Sequence, residues 1–472
     1  MFQPNDSPAD QVPRSGGEVH PDTADVSAIL DAARFGGVQF TVLAFTFVAL
    51  VMDGFDIQAI AFAAPALMEN WGIERSSLGL VLASSLVGMI AGAAGIGSLG
   101  DRHGRKTALI VSCAMMALGS VASAFANGPN ELAAYRFLTG IGLGGALPNA
   151  TALMFEFAPK SWRQIATAVA LIGVPLGGLL GAALARWLIP EHGWRALFVV
   201  GGVIPALLAG VMWPLVPESP RFLARVRTRG AELSNLLNRI VGGKRYDATA
   251  RFVGGGPATV PLSAVRAIFA STYRRDTITL WLIFFTNVFS VYFFFNWLPT
   301  VLSSVNLDFA LAVTASLYFN LGGVLGALAG SALTGRYGSR RVLATLSGLA
   351  VLSAIGIGAN GVFDTGQTSG SISALMWTIA VAGGCINGLQ IGMFAVAAYV
   401  YPTFCRSTGI GWSLAVARFG GIISSFVGAS FFAFGLMARD FFFAIAAVLS
   451  VAFLGVLILD RHIPASRREA SS

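Results

Sequence analysis

The chain has 472 residues, of which 55% are hydrophobic and only 11% are charged. A soluble domain carries about a quarter of its residues as Asp, Glu, Lys or Arg. This chain therefore has too few charges to cover a water-facing surface, and lipid is the predicted solvent over most of it. The formal net charge of +8 does not indicate a nucleic-acid partner, because the basic residues follow a membrane topology.

Apolar stretches long enough to span a bilayer, about 20 residues each, recur along the chain in two groups of six. They are predicted to begin near Val38, Ser77, Thr107, Glu131, Gln164, Arg195, Thr277, Ala310, Val342, Ser373, Thr408 and Arg439. The predicted fold is an all-α membrane protein of twelve transmembrane helices. Its predicted parts are a disordered cytoplasmic tail at 1–36, a six-helix bundle at 37–216, a cytoplasmic loop at 217–276, a second bundle at 277–462 and a cytoplasmic tail at 463–472.

The basic residues predict the orientation of the chain. Most of the 31 Lys and Arg residues fall in the tails, alternate loops and the central loop. Only Arg75, Arg186, Arg195 and Arg439 are assigned to the opposite side. This positive-inside pattern predicts that both termini are cytoplasmic. The 3 cysteines lack metal-ligand spacing, so neither a metal nor a cofactor is predicted.

The two groups of helices are related by sequence. A shift of 234 positions superposes residues of the same type: Pro65 on Pro299, Gly88 on Gly322, Gly92 on Gly326, Arg102 on Arg336 and Gly104 on Gly338. Because both groups start on the cytoplasmic side, they are parallel repeats about an axis along the membrane normal. Two such bundles enclose a central cavity, which is a transporter architecture.

A charged loop separates the second and third predicted helices. Residues 97–106 read Gly-Ser-Leu-Gly-Asp-Arg-His-Gly-Arg-Lys, and a degraded copy with Gly335 in place of the acid stands at 333–340. This loop resembles the signature of the major facilitator superfamily. Asp101 is predicted to interact with the N-terminal dipole of the eleventh helix, and Arg105 to pair with Glu156. The predicted conformational latch consists of Asp101, Arg102, Arg105, Glu156 and Arg406.

Two carboxylates stand inside the first predicted helix. Asp53 and Asp56 lie three residues apart and share one helix face. Two acids this close in a low dielectric are not both readily ionised, so one of them is predicted to bind and release protons. The second repeat has Asn287 and Ser290 at the corresponding positions. Proton coupling is therefore assigned to Asp53 and Asp56.

Two arginines are also predicted at membrane depth, where each needs a carboxylate partner. Arg418 lies about 16 Å into the eleventh helix at a rise of about 1.5 Å per residue, and Arg136 lies nearer the outer end of the fourth. The partner is either a substrate carboxylate or one of the first-helix acids. The predicted substrate-binding residues are Arg418, Arg136, Asn287 and Tyr292, the last in an aromatic run of the seventh helix.

These motifs together resemble the aromatic acid:proton symporter family. The resemblance is carried by Asp53-Gly-x-Asp56, the loop at Asp101, Arg136-Phe-x-x-Gly140 with Gly144, Pro148 and Asn149, the Pro217–Arg221 segment, Arg406 and Arg418. It implies a bacterial inner-membrane importer of benzoate-like acids that is driven by protons, with the first-helix acids and embedded arginines as functional residues. A monomeric transport unit is expected.

Other transport functions remain open from the sequence. Sugar porters share the Pro-Glu-Ser-Pro-Arg element at 217–221, but their Gln-rich seventh helix and acidic ending are missing here. Drug efflux antiporters carry a Gly-Pro-x-x-Gly-Gly motif, which is out of register at 173–178. A proton-coupled carrier of aliphatic acids or sugars and a drug antiporter are the alternatives. No catalytic constellation indicates an enzyme.

Overall fold

The computed structural model describes residues 23–243, 245–247, 251–253, 266–363, 368–402 and 405–465. Within these residues, twelve helices are long and apolar enough to cross a membrane. We label them α1–α12 in chain order. The first six are α1 Gly37–Trp71, α2 Leu78–His103, α3 Arg105–Ala124, α4 Pro129–Phe157, α5 Arg163–His192 and α6 Trp194–Leu215. The second six are α7 Ser271–Ser303, α8 Phe309–Tyr337, α9 Ser339–Gly358, α10 Ser369–Val400, α11 Arg406–Ala433 and α12 Ala438–Ile458.

The predicted architecture of a multi-pass membrane protein with two six-helix halves is confirmed. The helices pair in the same way in each half: α1 with α5, α2 with α4 and α3 with α6, and correspondingly α7 with α11, α8 with α10 and α9 with α12. The equivalent pairings agree with the sequence repeat. Predicted helix starts lie close to the observed ones, with α7 as the largest difference.

Helix α7 begins at Ser271, so the predicted loop at 217–276 is too long. The polar residues Arg274, Arg275 and Asp276 continue the helix beyond its apolar part. The sequence pattern shows only the apolar part of a helix, which lies in the lipid. The backbone hydrogen bonds of α7 continue through the polar residues before that part. We call the end of the molecule where α1 and α7 begin and α6 and α12 end the linker end, and the other the far end.

Two short elements form within the predicted disordered tail at 1–36, so that prediction is wrong for residues 23–32. Thr23–Asp25 forms a strand that pairs in parallel with Arg251–Val253 of the linker. The helix Val26–Ala32 follows, capped by the Asp25 side chain and with Val26 and Leu30 buried. These apolar side chains stabilise it by packing. Residues 1–22, 254–265 and 466–472 lie outside the described part, so the rest of the tail and linker predictions stay predictions.

Glycines allow the closest helix contacts. A Cβ atom on Gly54 of α1 would lie 1.9 Å from the backbone oxygen of Val174 on α5, and one on Gly177 would lie 1.9 Å from that of Val51. Any side chain at these positions forces the two helices apart. Small residues at helix interfaces generally permit such approach within membranes, and here they fix α1 against α5.

The two halves contact each other toward the far end. A Cβ atom on Gly79 of α2 would lie 2.8 Å from the Cβ of Ala429 on α11. The guanidinium of Arg75, just before α2, lies 5.5 Å from the ring centroid of Phe432 at the end of α11. These contacts close the boundary between the halves at the far end.

Candidate functional site

Asp56 and Arg136 form an ion pair inside the first half. Arg136 Nη1 lies 3.3 Å from Asp56 Oδ1, and both side chains are 0% exposed. The Ser120 hydroxyl donates to the same carboxylate oxygen at 2.6 Å. The guanidinium also donates to Ser120 at 2.9 Å and to Thr139 at 2.8 Å, and it lies 5.0 Å from the ring centroid of Phe198. The Arg136 charge is therefore compensated by protein groups.

Asp53, one turn earlier on α1, takes no part in this ion pair. Its side chain is buried, at 2% exposure. Among the described residues its buried Oδ1 has no hydrogen-bond partner. Leaving a carboxylate charged and unpaired in an apolar interior is costly, so Asp53 is suited to bind a proton there. The two acids of the first helix thus differ in their environments, which the sequence did not distinguish.

Arg418 of α11 is the charged residue of the second half that interacts with Asp53. Its charge interacts electrostatically with Asp53 and with Tyr292. None of the hydrogen bonds or ion pairs within the described part of the chain involves the Arg418 side chain, which is half-buried. A guanidinium in this setting retains all its donors for an anionic ligand.

Tyr292 lies beside this pair at the boundary of the two halves. Its hydroxyl donates to the sulfur of Met89 on α2 at 3.9 Å. A Cβ atom on Gly421 would lie 2.9 Å from the Tyr292 ring, so the ring packs on α11 less than one turn from Arg418. Asp53, Tyr292 and Arg418 therefore come from α1, α7 and α11 to one place, which we call the central cluster.

Asn287 faces α10. Its amide donates to Gln390 at 2.6 Å and to the Ile386 backbone oxygen at 3.3 Å. Its own Oδ1 is buried and has no partner among the described residues. The structure thus places Asn287 against α10, while Arg136 joins Asp56 rather than Arg418.

The charged loop at the linker end forms its own network. Arg105 Nη2 lies 2.6 Å from Asp101 Oδ1, and Arg105 Nε lies 3.9 Å from Glu156 Oε1, the pair that the sequence predicts. The Glu156 carboxylate accepts a hydrogen bond from Ser219. Arg102 is exposed.

Arg406 begins α11 and donates to the backbone oxygen of Tyr401 at 3.2 Å. No hydrogen bond between Asp101 and the start of α11 is present among the described residues. Asp101 is therefore paired with its own loop in this state.

Glu218, after α6, is a functional candidate that the sequence analysis used only as part of a family motif. Its carboxylate accepts from the backbone N–H of Lys106 at 3.0 Å and of Ser219 at 2.8 Å. Burial raises the pKa of Glu218, while these backbone hydrogen bonds oppose the rise. It packs against Gly104, whose φ of 105° favours glycine. Glu218 thus caps α3 and joins α6 to the charged loop.

Sequence reasoning also missed the neutral polar partners. Ser120 and Thr139 hold Arg136, and Gln58 and Asn320 join the two halves. Isolated Ser and Thr residues are common in membrane helices, where they also bond to their own backbone. The signal available in the sequence was Gln58, a polar residue that stands two positions after Asp56 inside the apolar first helix. No group of three or more His, Cys, Asp or Glu side chains able to hold a metal occurs in the described part.

Comparisons with known proteins decide the family. A model of the Major Facilitator Superfamily matches residues 46–425. The chain belongs to the Major Facilitator Superfamily. A solved structure of this fold, the inward open conformation of the xylose transporter XylE from E. coli, covers 91% of the chain and 98% of its own length with a TM-score of 0.69 at 18% identity.

The resemblance within this superfamily is also confirmed. The chain is 36% identical over 412 residues to the gallate transporter of Pseudomonas putida, covering 87% of this chain and 90% of that protein. It is 35% identical over 435 residues to the 4-hydroxybenzoate transporter PcaK of the same organism, covering 92% and 95%. This Major Facilitator Superfamily protein therefore groups with transporters, as its repeat predicts, and not with enzymes.

Proposed function

We propose that this protein carries a small aromatic carboxylate, together with protons, into the cytoplasm across a bacterial inner membrane. The transport unit is a monomer, and the linker end with both termini faces the cytoplasm. The observation that carries the proposal is the central cluster, in which Arg418 has no hydrogen-bonded partner among the described residues and interacts with the buried Asp53. The substrate class is supported by the names of the gallate and 4-hydroxybenzoate transporters.

Arg418, rather than Arg136, binds the substrate carboxylate in this proposal. Arg136 is 0% exposed and already donates to Asp56, Ser120 and Thr139. Arg418 is half-buried and keeps its donors. A guanidinium binds a carboxylate through two parallel hydrogen bonds, which orient the ring of the ligand.

Asp53 couples the substrate to the proton. When Asp53 is ionised, its charge attracts Arg418 and competes with a substrate anion. When Asp53 binds a proton, this competition ends and Arg418 binds the substrate. Proton and substrate thus favour each other's binding, which is a coupling free energy between two sites. The role of Asp56 is to hold Arg136 and to raise the cost of ionising Asp53.

The neighbouring polar residues complete the proposed substrate site. Tyr292 supplies a ring and a hydroxyl beside Arg418. The Oδ1 of Asn287, which has no partner among the described residues, is an acceptor for a substrate hydroxyl if α10 shifts. Alternating access then requires the halves to separate at the far end and to meet at the linker end, where Asp101 reaches the start of α11.

Competition transport tests the substrate class. Labelled 4-hydroxybenzoate is offered to proteoliposomes under an imposed pH gradient, with benzoate, gallate, an aliphatic acid, benzamide or xylose as competitor. Benzoate and gallate should compete, whereas xylose and the neutral amide should not. Equal competition by xylose or benzamide would contradict an anion site, and equal competition by the aliphatic acid would remove the aromatic assignment.

A further inference from the structure

A cavity of about 390 Å³ opens at the far end, on the boundary between the halves. The first half contributes one residue, Arg75, which lies between α1 and α2. The second half contributes the rest, including Phe432, Arg439, Phe363 and Met437. The cavity is therefore complete only while the far end is closed.

Two arginines contribute to the lining of this cavity. Arg75 and Arg439 both line it, although the sequence assigns only four basic residues to this side of the membrane. The buried Nε of Arg75 has no hydrogen-bond partner among the described residues. Among the described residues, the lining thus contains two arginines and no acidic residue.

The lining also offers aromatic surface. The guanidinium carbon of Arg75 lies 5.5 Å from the ring centroid of Phe432. Phe432 and Phe363 both line the cavity. An aromatic carboxylate matches such a lining, because its anion pairs with guanidinium groups and its ring packs on apolar rings. A second cavity on the other side of Arg75 is lined by Glu74, whose negative charge disfavours an anion there.

We propose that this cavity is a second binding site for aromatic carboxylates, which captures them at the outer surface before translocation. This proposal rests on the proposed function for the class of ligand and for the orientation of the protein in the membrane. Arg75 and Arg439 hold the carboxylate, and Phe432 and Phe363 hold the ring. The site is distinct from the central cluster, because Arg75 lies at the far end of the molecule and Arg418 in the middle of α11.

Thiol protection tests this site. Met437 is 62% exposed and lines the cavity, and the three native cysteines are buried. In Met437→Cys, a membrane-impermeant maleimide should label the introduced thiol from outside. Benzoate should slow this labelling several-fold, acetate less, and benzamide not at all.

A second substitution in the Met437→Cys background identifies which site must bind benzoate for the thiol to be protected. Arg75→Gln should abolish protection by benzoate, while Arg75→Lys should retain part of it. Arg186→Gln, which removes an exposed far-end arginine outside the cavity, should leave it unchanged. Protection should also survive Arg418→Gln, because that substitution alters only the central cluster.

The outcomes separate this inference from the proposed function. Two results overturn only the second binding site at the far end, called the outer site. One is uptake of benzoate by the wild type while benzoate does not protect the Met437→Cys thiol. The other is protection of this thiol that survives Arg75→Gln. Protection that disappears in Arg418→Gln also overturns it, because the effect then comes from the central cluster. Protection at the introduced thiol without uptake by the wild type contradicts the transport proposal and leaves the outer site supported. Equal thermal unfolding midpoints of Arg75→Gln and Arg186→Gln in detergent demonstrate that a loss of protection in Arg75→Gln does not come from misfolding.

Discussion

Gln58 of α1 and Asn320 of α8 exchange two hydrogen bonds across the boundary between the halves. Gln58 Nε2 donates to Asn320 Oδ1 at 3.1 Å, and Asn320 Nδ2 donates to Gln58 Oε1 at 2.8 Å. The two side chains are 0% and 1% exposed. A Cβ atom on Gly178 would lie 2.0 Å from Gln58 Nε2, so this glycine leaves room for the pair. The amide pair stabilises closure at the far end.

Removing one amide should favour opening at this end. Asn320→Leu leaves the Gln58 amide buried without its partner, at a cost of about 1–3 kcal/mol. The cost falls on the closed state, because water reaches Gln58 when the halves separate. Distances between spin labels on the exposed Leu80 and Phe434 should shift toward longer values. Asn387→Leu is the matched control, since Asn387 bonds to its own helix.

A closed population unchanged by Asn320→Leu would contradict this role. The double variant Gln58→Leu with Asn320→Leu should recover part of the closed population, because it leaves no amide buried alone. A double variant that opens further than the single variant would show that the amide pair is not the cause.

The Asp56–Arg136 pair should stabilise the fold. Asp56→Asn leaves a buried guanidinium without its counter-ion, which costs about 3–5 kcal/mol. Asp53→Asn is the matched control: Asp53 is equally buried but has no ion pair among the described residues. Thermal unfolding in detergent should show a much lower midpoint for Asp56→Asn than for Asp53→Asn. Equal midpoints would mean that the pair contributes nothing to stability.

The sequence predicted the helices and halves because they follow from local apolar stretches and a repeat. It also identified Asp53, Asp56, Arg136 and Arg418 because charges within a membrane are conspicuous. It did not predict which of these four charges pair with each other. That choice depends on helix rotation and on close approaches such as Gly54 against Val174, which act between distant parts of the chain.

The loop at Asp101 is proposed to act as a latch in the state closed at the linker end. In the present state Asp101 is 46% exposed and pairs with Arg105. If Asp101 binds the start of α11 in the state closed at the linker end, its contacts differ between the two states. This difference shifts the equilibrium between the two states. Asp101→Asn should slow turnover and change cysteine accessibility at the linker end, with little effect on substrate affinity.

A matched control for the latch is Glu232→Gln, since Glu232 is an exposed acid that also pairs with a nearby arginine. It should leave turnover unchanged. Accessibility in Asp101→Asn that equals the wild type would count against the latch.

Arg418→Lys should weaken substrate binding although the charge is retained, because an ammonium group lacks the planar fork that binds a carboxylate. The expected KM for benzoate rises about tenfold, equivalent to about 1.4 kcal/mol. Uptake kinetics measure this, with Arg341→Lys on the exposed surface of α9 as control. An unchanged KM would remove Arg418 from the substrate site.

Asp53 is proposed to carry a proton with each aromatic anion bound at Arg418. The most direct test adds 4-hydroxybenzoate to wild-type proteoliposomes without an imposed gradient and records external pH together with labelled uptake, using protein-free liposomes to subtract passive entry. The medium should become more alkaline in proportion to uptake, because each substrate anion enters with a proton. Asp53→Asn should exchange internal for external substrate with no pH change. Uptake by the wild type without a pH change, or a normal pH change in Asp53→Asn, would contradict proton coupling through Asp53.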